Sequence, residues 1–171
     1  LVTGSNNVFY NSSLFNNSTI TVNFQDHDSA TVIKSIGGTD VLENVQGVHG
    51  TTGNDILNGS PTTGPSGTFY NSINLSGRQG NDSINGFGLT INRVDYSSAT
   101  GAVTVDLAAG TATDGLGGVD TLLNVVRVRG SNYNDRLIGS DRNDILETPA
   151  LGSHFLDGGG GINEYRFSNN N

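Results

Sequence analysis

The stretch GGTDVLENVQGVHGTTGNDILNGS, residues 37–60, returns 80 positions later as GGVDTLLNVVRVRGSNYNDRLIGS, residues 117–140, with 13 of 24 positions identical. A chain that copies itself at such a spacing is built from stacked units, because each unit needs a neighbour to bury its apolar face. The match continues upstream after a three-residue shift, with residues 19–24 over 102–107. Tyr10 and Tyr96 each lie just ahead of a pair of serines, and residues 4–9 echo 160–165 as part of a third copy. We therefore divide the chain into a first repeat, 1–87, and a second, 88–171, which ends in the start of a third.

Short β-branched runs such as 19–24, 102–107 and 125–129 alternate apolar and polar residues between Gly and Asn, and no window carries a helical stripe. The chain reads as all-β. Residues 61–67, PTTGPSG, interrupt the first repeat and are expected to be a surface loop. Only 33% of the 171 residues are hydrophobic, and 25 are glycine. Such a composition suits disorder, but the ordered placement of these residues argues for a fold.

Sixteen acidic against eight basic side chains leave a net charge of −8. Nucleic acid and anionic membrane surfaces both require clustered positive charge, so neither is expected as a partner. No apolar run reaches the roughly 18 residues of a membrane span. There is no cysteine, hence no disulfide and no thiolate metal site. The first ten residues lack the pattern of a signal peptide, and the chain is expected to be a mature piece of a longer protein.

Within each repeat a nine-residue unit recurs, with Gly at position one, often Gly at four, Asp at six and an aliphatic residue at eight. Residues 50–58, 77–85, 115–123, 130–138 and 139–147 fit it, and 35–43 fits from its third residue. Six residues rich in Gly and Asn turn the chain through positive φ, and three residues with one inward apolar side chain make a short strand. Stacking would align Leu57, Ile84, Leu122, Leu137 and Leu146 as an interior ladder. Asp135 and Asp144, nine apart, should face opposite sides, and Asp144 and Asn163 the same side. Two stacked turns offer carboxylates and carbonyls to a hard cation, which takes six to eight oxygens at about 2.3–2.6 Å. The metal-free alternative is that Asp and Asn side chains close the turns by bonding to backbone.

These units resemble the calcium-binding nonapeptides, GGxGxDxUx with U a large apolar residue, of RTX or hemolysin-type secreted bacterial proteins. Residues 94–135 are similar to the segment leading into the roll of serralysin-type proteases. The resemblance implies a right-handed parallel β-roll, a secreted or cell-surface location, and Ca²⁺ as the bound ion. It also implies that the carboxylates of Asp40, Asp55, Asp82, Asp120, Asp135 and Asp144 face calcium. Carbonyls of Gly50, Thr52 and Asn54, and of Gly139, Asp141 and Asn143, would complete the shells. The chain departs from the family in lacking Gly at position two almost throughout, in Tyr133 and Arg142 at position four, and in Asn163 where a carboxylate belongs.

The expected role is a calcium-stapled structural or adhesive module that folds on meeting external calcium and stacks on itself or on neighbouring repeats through its end coils. The alternative is a carbohydrate-binding accessory module, as the rolls of alginate epimerases suggest. There Arg127 and Arg129, on one face of a strand and close to Arg136 and Arg142, would grip an acidic polysaccharide, with local pairing to acidic side chains as the competing role. Phe69, Tyr70 and Tyr133 are candidates for stacking on sugars or for filling the roll. No enzyme is expected: His27, His49 and His154 are scattered outside any HExxH frame, and Asp26 and Asp28 flank His27 without a nucleophile.

Overall fold

A computed structural model of the chain describes residues 7–9, 18–62, 73–89 and 91–168. It is all-β, with two sheets rich in parallel pairs and no helix among the described residues. Strands are numbered in chain order. The seven-stranded sheet runs β1 (Asn7–Phe9), β5 (Gly47–His49), β7 (Ile73–Ser76), β9 (Asn92–Asp95), β13 (Arg127–Arg129), β15 (Ile145–Pro149) and β17 (Glu164–Ser168). The ten-stranded sheet runs β16 (Phe155–Asp157), β14 (Arg136–Ile138), β10 (Thr104–Asp106), β11 (Thr111–Thr113), β12 (Val119–Leu123), β8 (Ser83–Asn85), β6 (Ile56–Asn58), β2 (Ile20–Phe24), β3 (Ser29–Lys34) and β4 (Thr39–Glu43).

From β4 onward the chain alternates between the sheets, except that β10, β11 and β12 follow one another in the larger one. The seven-stranded sheet is parallel throughout. In the larger sheet, β2–β3–β4 and β10–β11–β12 are antiparallel meanders, one in each repeat. These meanders correct the expectation of a uniformly parallel stack. Their cause is local: Asp26 Oδ1 accepts the Asp28 and Ser29 N–H groups (3.1 and 2.9 Å) and closes the β2–β3 turn, while Asp106 Oδ1 accepts Ala109 N–H (2.8 Å) after β10.

The two repeats share backbone geometry as well as sequence. Gly37 and Gly117 lie at φ 109° and 107°, and Asn44 and Asn124 at 58° and 51°. These are left-handed conformations that Gly and Asn adopt at least cost.

Alternation along each strand sends one set of side chains between the sheets. Val48, Leu75, Val94, Val128 and Leu146 stack on the seven-stranded side, and Val22, Leu57, Ile84, Val105 and Leu137 on the other, all fully buried. The expected single ladder is thus two: Leu57, Ile84 and Leu122 are in register with one another, whereas Leu146 belongs to the opposite sheet. Of the expected loop at 61–67, only Pro61 and Thr62 are described. Tyr10, Phe69, Tyr70 and residues 4–6 lie outside the described residues.

The neighbours Ile56 and Leu57 test this inside–outside division. Leu57→Ala should cost about 3 kcal/mol by loss of burial and creation of a cavity. Ile56→Ala, at a position 46% exposed, should stay within about 0.5 kcal/mol. Urea unfolding measures both, and equal losses would contradict the assignment of faces.

Candidate functional site

Five of the six expected aspartates, Asp55, Asp82, Asp120, Asp135 and Asp144, are at most 2% exposed. Each carboxylate turns inward and accepts backbone N–H groups. Asp55 Oδ1 accepts Ile20 N–H (2.8 Å), Asp82 Oδ1 accepts Asp55 N–H (2.8 Å), and Asp120 Oδ1 accepts Asp82 N–H (3.0 Å), forming a relay across four strand entrances. Asp135 Oδ1 accepts Val103 N–H (3.0 Å), and Asn163 Oδ1 accepts Asp144 N–H (2.9 Å). Asp144 and Asn163 do share a side.

The preceding asparagines reach the other way. Asn54 Oδ1 accepts Asn81 N–H, Asn81 Oδ1 accepts Val119 N–H, Asn134 Oδ1 accepts Ser153 N–H, and Asn143 Oδ1 accepts Ile162 N–H, all at 2.8–2.9 Å. The pairs Asn54-Asp55, Asn81-Asp82 and Asn134-Asp135 therefore clamp the coil on each side of them, while Asn143 of Asn143-Asp144 reaches the following coil. The part played by these asparagine side chains was missed in the sequence, where Asn54 and Asn143 were read only as carbonyl donors.

Gly at position one has a steric reason. A Cβ on Gly50, Gly77 or Gly130 would collide with the carboxylate of Asp55, Asp82 or Asp135, which folds back over the glycine. Position two, which is Gly in the nonapeptides that these units resemble, carries a side chain with a role of its own. Thr51, Ser131 and Ser140 each donate backbone N–H to Oδ2 of the aspartate four residues on (2.6, 2.7 and 2.6 Å), and their hydroxyls also donate to that carboxylate. The same hydroxyls accept N–H from Gly53, Tyr133 and Arg142 (3.0–3.1 Å). Backbone N–H groups thus satisfy both oxygens of Asp55 and Asp135, and at Asp144 the Ser140 hydroxyl is shared between Oδ2 (3.0 Å) and Oδ1 (3.3 Å).

Where position two is Arg78 or Leu116, that clamp is missing. Asp82 Oδ2 is buried without a hydrogen-bond partner. Nearby Asp114, 1% exposed, accepts Leu116 and Gly118 N–H on Oδ1 (2.7 and 2.8 Å), and its Oδ2 is likewise buried without a partner. Asp120 Oδ2 accepts the Tyr96 hydroxyl (2.8 Å). The Gly80 carbonyl and Asp114 Oδ2 crowd the same spot beside Gly118. Burial, with the charges of Asp120, Asp55 and Asp114, pushes the Asp82 carboxyl up to about 8. Burial raises Asp120 to about 6, and burial with the charges of Asp120, Asp82 and Asp114 pushes the Tyr96 phenol up. Asp114 and Tyr96 were not read as site residues. Asp114 falls outside the nine-residue frame, and Tyr96 carried only the repeat signal.

The first repeat differs at this place. Strand register puts Asp40 opposite Val32 and Asp120 opposite Ala112, so Lys34 occupies the position of Asp114. The Lys34 ammonium lies 2.7 Å from Asp40 Oδ1, and Asp40 is only half-buried. A cation built into the chain thus sits where the second repeat has a third carboxylate.

The other candidates are held by local partners. Among the described residues, Asp26, His27 and Asp28 form the one group of three acidic or imidazole side chains with ligand atoms within 4.8 Å of one another. Hydrogen bonds from Asp28 N–H and the Ser29 hydroxyl hold Asp26 at about 2, as a turn-closing carboxylate. On the outer face of the seven-stranded sheet, Arg127 and Arg93 both pair with the buried Glu147 (2.6 and 2.9 Å), with Arg166 3.5 Å from it. Arg136 lies over the Phe155 ring, 4.3 Å from its centroid. His154 Nδ1 lies 3.3 Å from Asp135 N and serves the stack. No family model matches the chain, and no curated protein matches it.

The raised carboxyls fix a pH dependence for the cation-free chain. The unfolded chain gives up these protons near pH 4, while the folded chain keeps them to about 6 at Asp120 and about 8 at Asp82. Between those limits the folded state binds more protons, so stability falls as pH rises. In chelator, the melting temperature should drop from pH 5 to pH 8, and Asp82→Asn should flatten most of that slope. A flat profile for the parent chain would contradict the assignment.

Proposed function

We propose that the chain is a calcium-binding structural or adhesive module of a secreted bacterial protein, a β-roll of the RTX type that tightens when external calcium fills a site in its second repeat. The observation that carries this reading is the pair of buried, unpartnered carboxylate oxygens, Asp82 Oδ2 and Asp114 Oδ2. A buried anionic oxygen without a partner is costly, and either a proton or a cation relieves it. Lys34 on Asp40 supports the cation, because the first repeat meets the same need with an ammonium.

Calcium suits the donors, which are all hard oxygens from two neighbouring turns with no imidazole or thiol among them. The unpartnered carboxylate oxygens of Asp82 and Asp114 and the Gly80 carbonyl would hold it, with Asp120, whose Oδ2 accepts the Tyr96 hydroxyl, adding its charge from beside the site. An ion that binds only the folded coils adds RT ln(1 + [Ca]/Kd), about 2.7 kcal/mol at a hundredfold excess. Alternation of the chain between two parallel-rich sheets supports the roll, and the recurrent glycine–aspartate frame supports the family.

Titration calorimetry at pH 7 in buffers of different ionisation enthalpy tests the site. Calcium should bind with release of about one proton, taken from Asp82, and magnesium should bind far more weakly. Asp114→Lys, which copies the first repeat, should raise the melting temperature in chelator and abolish the calcium response. Unchanged calcium binding in Asp114→Lys, or none in the parent chain, would overturn the reading.

A further inference from the structure

Each sheet ends on two strands, and the internal repeat specifies what those ends are shaped to meet. Within the chain, β8 covers the outer edge of β12 in the register Ser83–Thr121, Ile84–Leu122 and Asn85–Leu123. Thr121 N–H donates to the Asp82 carbonyl (2.8 Å), and Asp82 N–H to Asp120 Oδ1 (3.0 Å). The strand after each then pairs in the other sheet, β9 on β13, with Val94 opposite Val128.

β4 is the repeat counterpart of β12. β16 is the counterpart of β8, since it lies on β14 as β8 lies on β6. Both are terminal strands of the ten-stranded sheet. Their inward residues, Leu42 and Leu156, are only partly buried, whereas Leu122 and Ile84 are 4% and 0% exposed. Outward, Val41 is 75% exposed and Phe155 51%.

We propose that β16 of one chain adds to β4 of a second copy in the register that β8 makes on β12, so that copies join head to tail. This names the surface for the stacking through end coils expected from the sequence, and it rests on strand register rather than on the cation of the proposed function. Phe155 then faces Val41, Leu156 faces Leu42, and the Val41 N–H takes the part of Thr121. A heterologous contact of this kind does not close on itself and propagates as a filament.

The seven-stranded sheet adds a condition. Once β16 lies on β4, the following strand β17 falls on β5 with Tyr165 opposite Val48, as β9 falls on β13. That edge of β5 is held within the chain by β1, with Val8 opposite Val48. β1 and an incoming β17 therefore compete for one place, and joining copies requires strand exchange. β1 acts as a plug. Glu43 meets Asp157 across the joint, a like-charged pair that weakens it.

The chain contains no cysteine, so engineered pairs report the joint directly. Positions 41 and 155 lie on opposite edge strands of the ten-stranded sheet, about 43 Å apart at ~4.8 Å per strand, and a disulfide between them can only link two chains. Under mild oxidation, Val41→Cys/Phe155→Cys should give a ladder of oligomers on a non-reducing gel, at least tenfold above Val119→Cys/Phe155→Cys, whose first site is exposed but lies inside the sheet. Deleting residues 1–9 should raise the yield further, and Glu43→Gln should do the same. In the cysteine-free chain, sedimentation should show assembly that Val41→Pro abolishes, because proline removes the outward N–H and is tolerated on an edge strand. Circular dichroism checks that each variant is folded. Equal cross-linking in the Val119 control, or monomers at every concentration in folded parent and deletion variants, would overturn the proposal. Calcium titration of the same samples is read separately, so either reading can fail while the other stands.

Discussion

The stack depends on a carboxylate oxygen that accepts a backbone N–H from the neighbouring coil. Where a strand begins, its first N–H groups have no ladder partner, and water cannot reach them between coils. The Asp55–Asp82–Asp120 relay supplies the missing acceptors at 2.8–3.0 Å. Such hydrogen bonds contribute about 0.5–1.5 kcal/mol each, and about 1.5–3 where the carboxylate is ionised, whereas an unmet buried donor costs about 1–3 kcal/mol. The Asn-Asp pairs at 54–55, 81–82 and 134–135 make the clamp two-sided, which explains why these two residues, rather than one, recur together there.

Burying carboxylates to obtain this clamp creates the opposite problem, since each has a second oxygen to satisfy. Thr51, Ser131 and Ser140 solve it with an N–H and a hydroxyl. Tyr96 solves it for Asp120, and Lys34 neutralises Asp40. Among the buried carboxylates of the described residues, Asp82 and Asp114 keep an oxygen without a partner. The division is chemical rather than positional: the same aspartate frame serves as a protein-only clamp or as a cation ligand according to the residue beside it.

Much of the fold was legible because periodicity is a property of sequence. Identity over residues 37–60 and 117–140 revealed the repeat, and the alternation in residues 19–24 and 102–107 revealed β2 and β10. The meanders were not legible, because nothing in the runs 25–34 or 107–118 says whether a strand returns beside its predecessor or crosses to the other sheet. Side-chain bonds at Asp26 and Asp106 decide that. Asp82 and Asp120 stood out by their frame, but Asp114 did not, since its meaning comes from strand register. That Asp40 would differ from its twin Asp120 was equally hidden. The cause is Lys34, six residues upstream, together with an edge that β8 seals in one repeat and leaves open in the other.

Diffraction from crystals grown with excess calcium, collected at long wavelength, would locate bound calcium without reference to any fitted side chain. Clamping by Ser and Thr at position two predicts one strong anomalous peak among Asp82, Asp114 and Asp120, and none beside Asp55, Asp135 or Asp144. Peaks at all the position-six aspartates, with their carboxylates turned away from the neighbouring N–H groups, would contradict the inward clamp on which the rest is built.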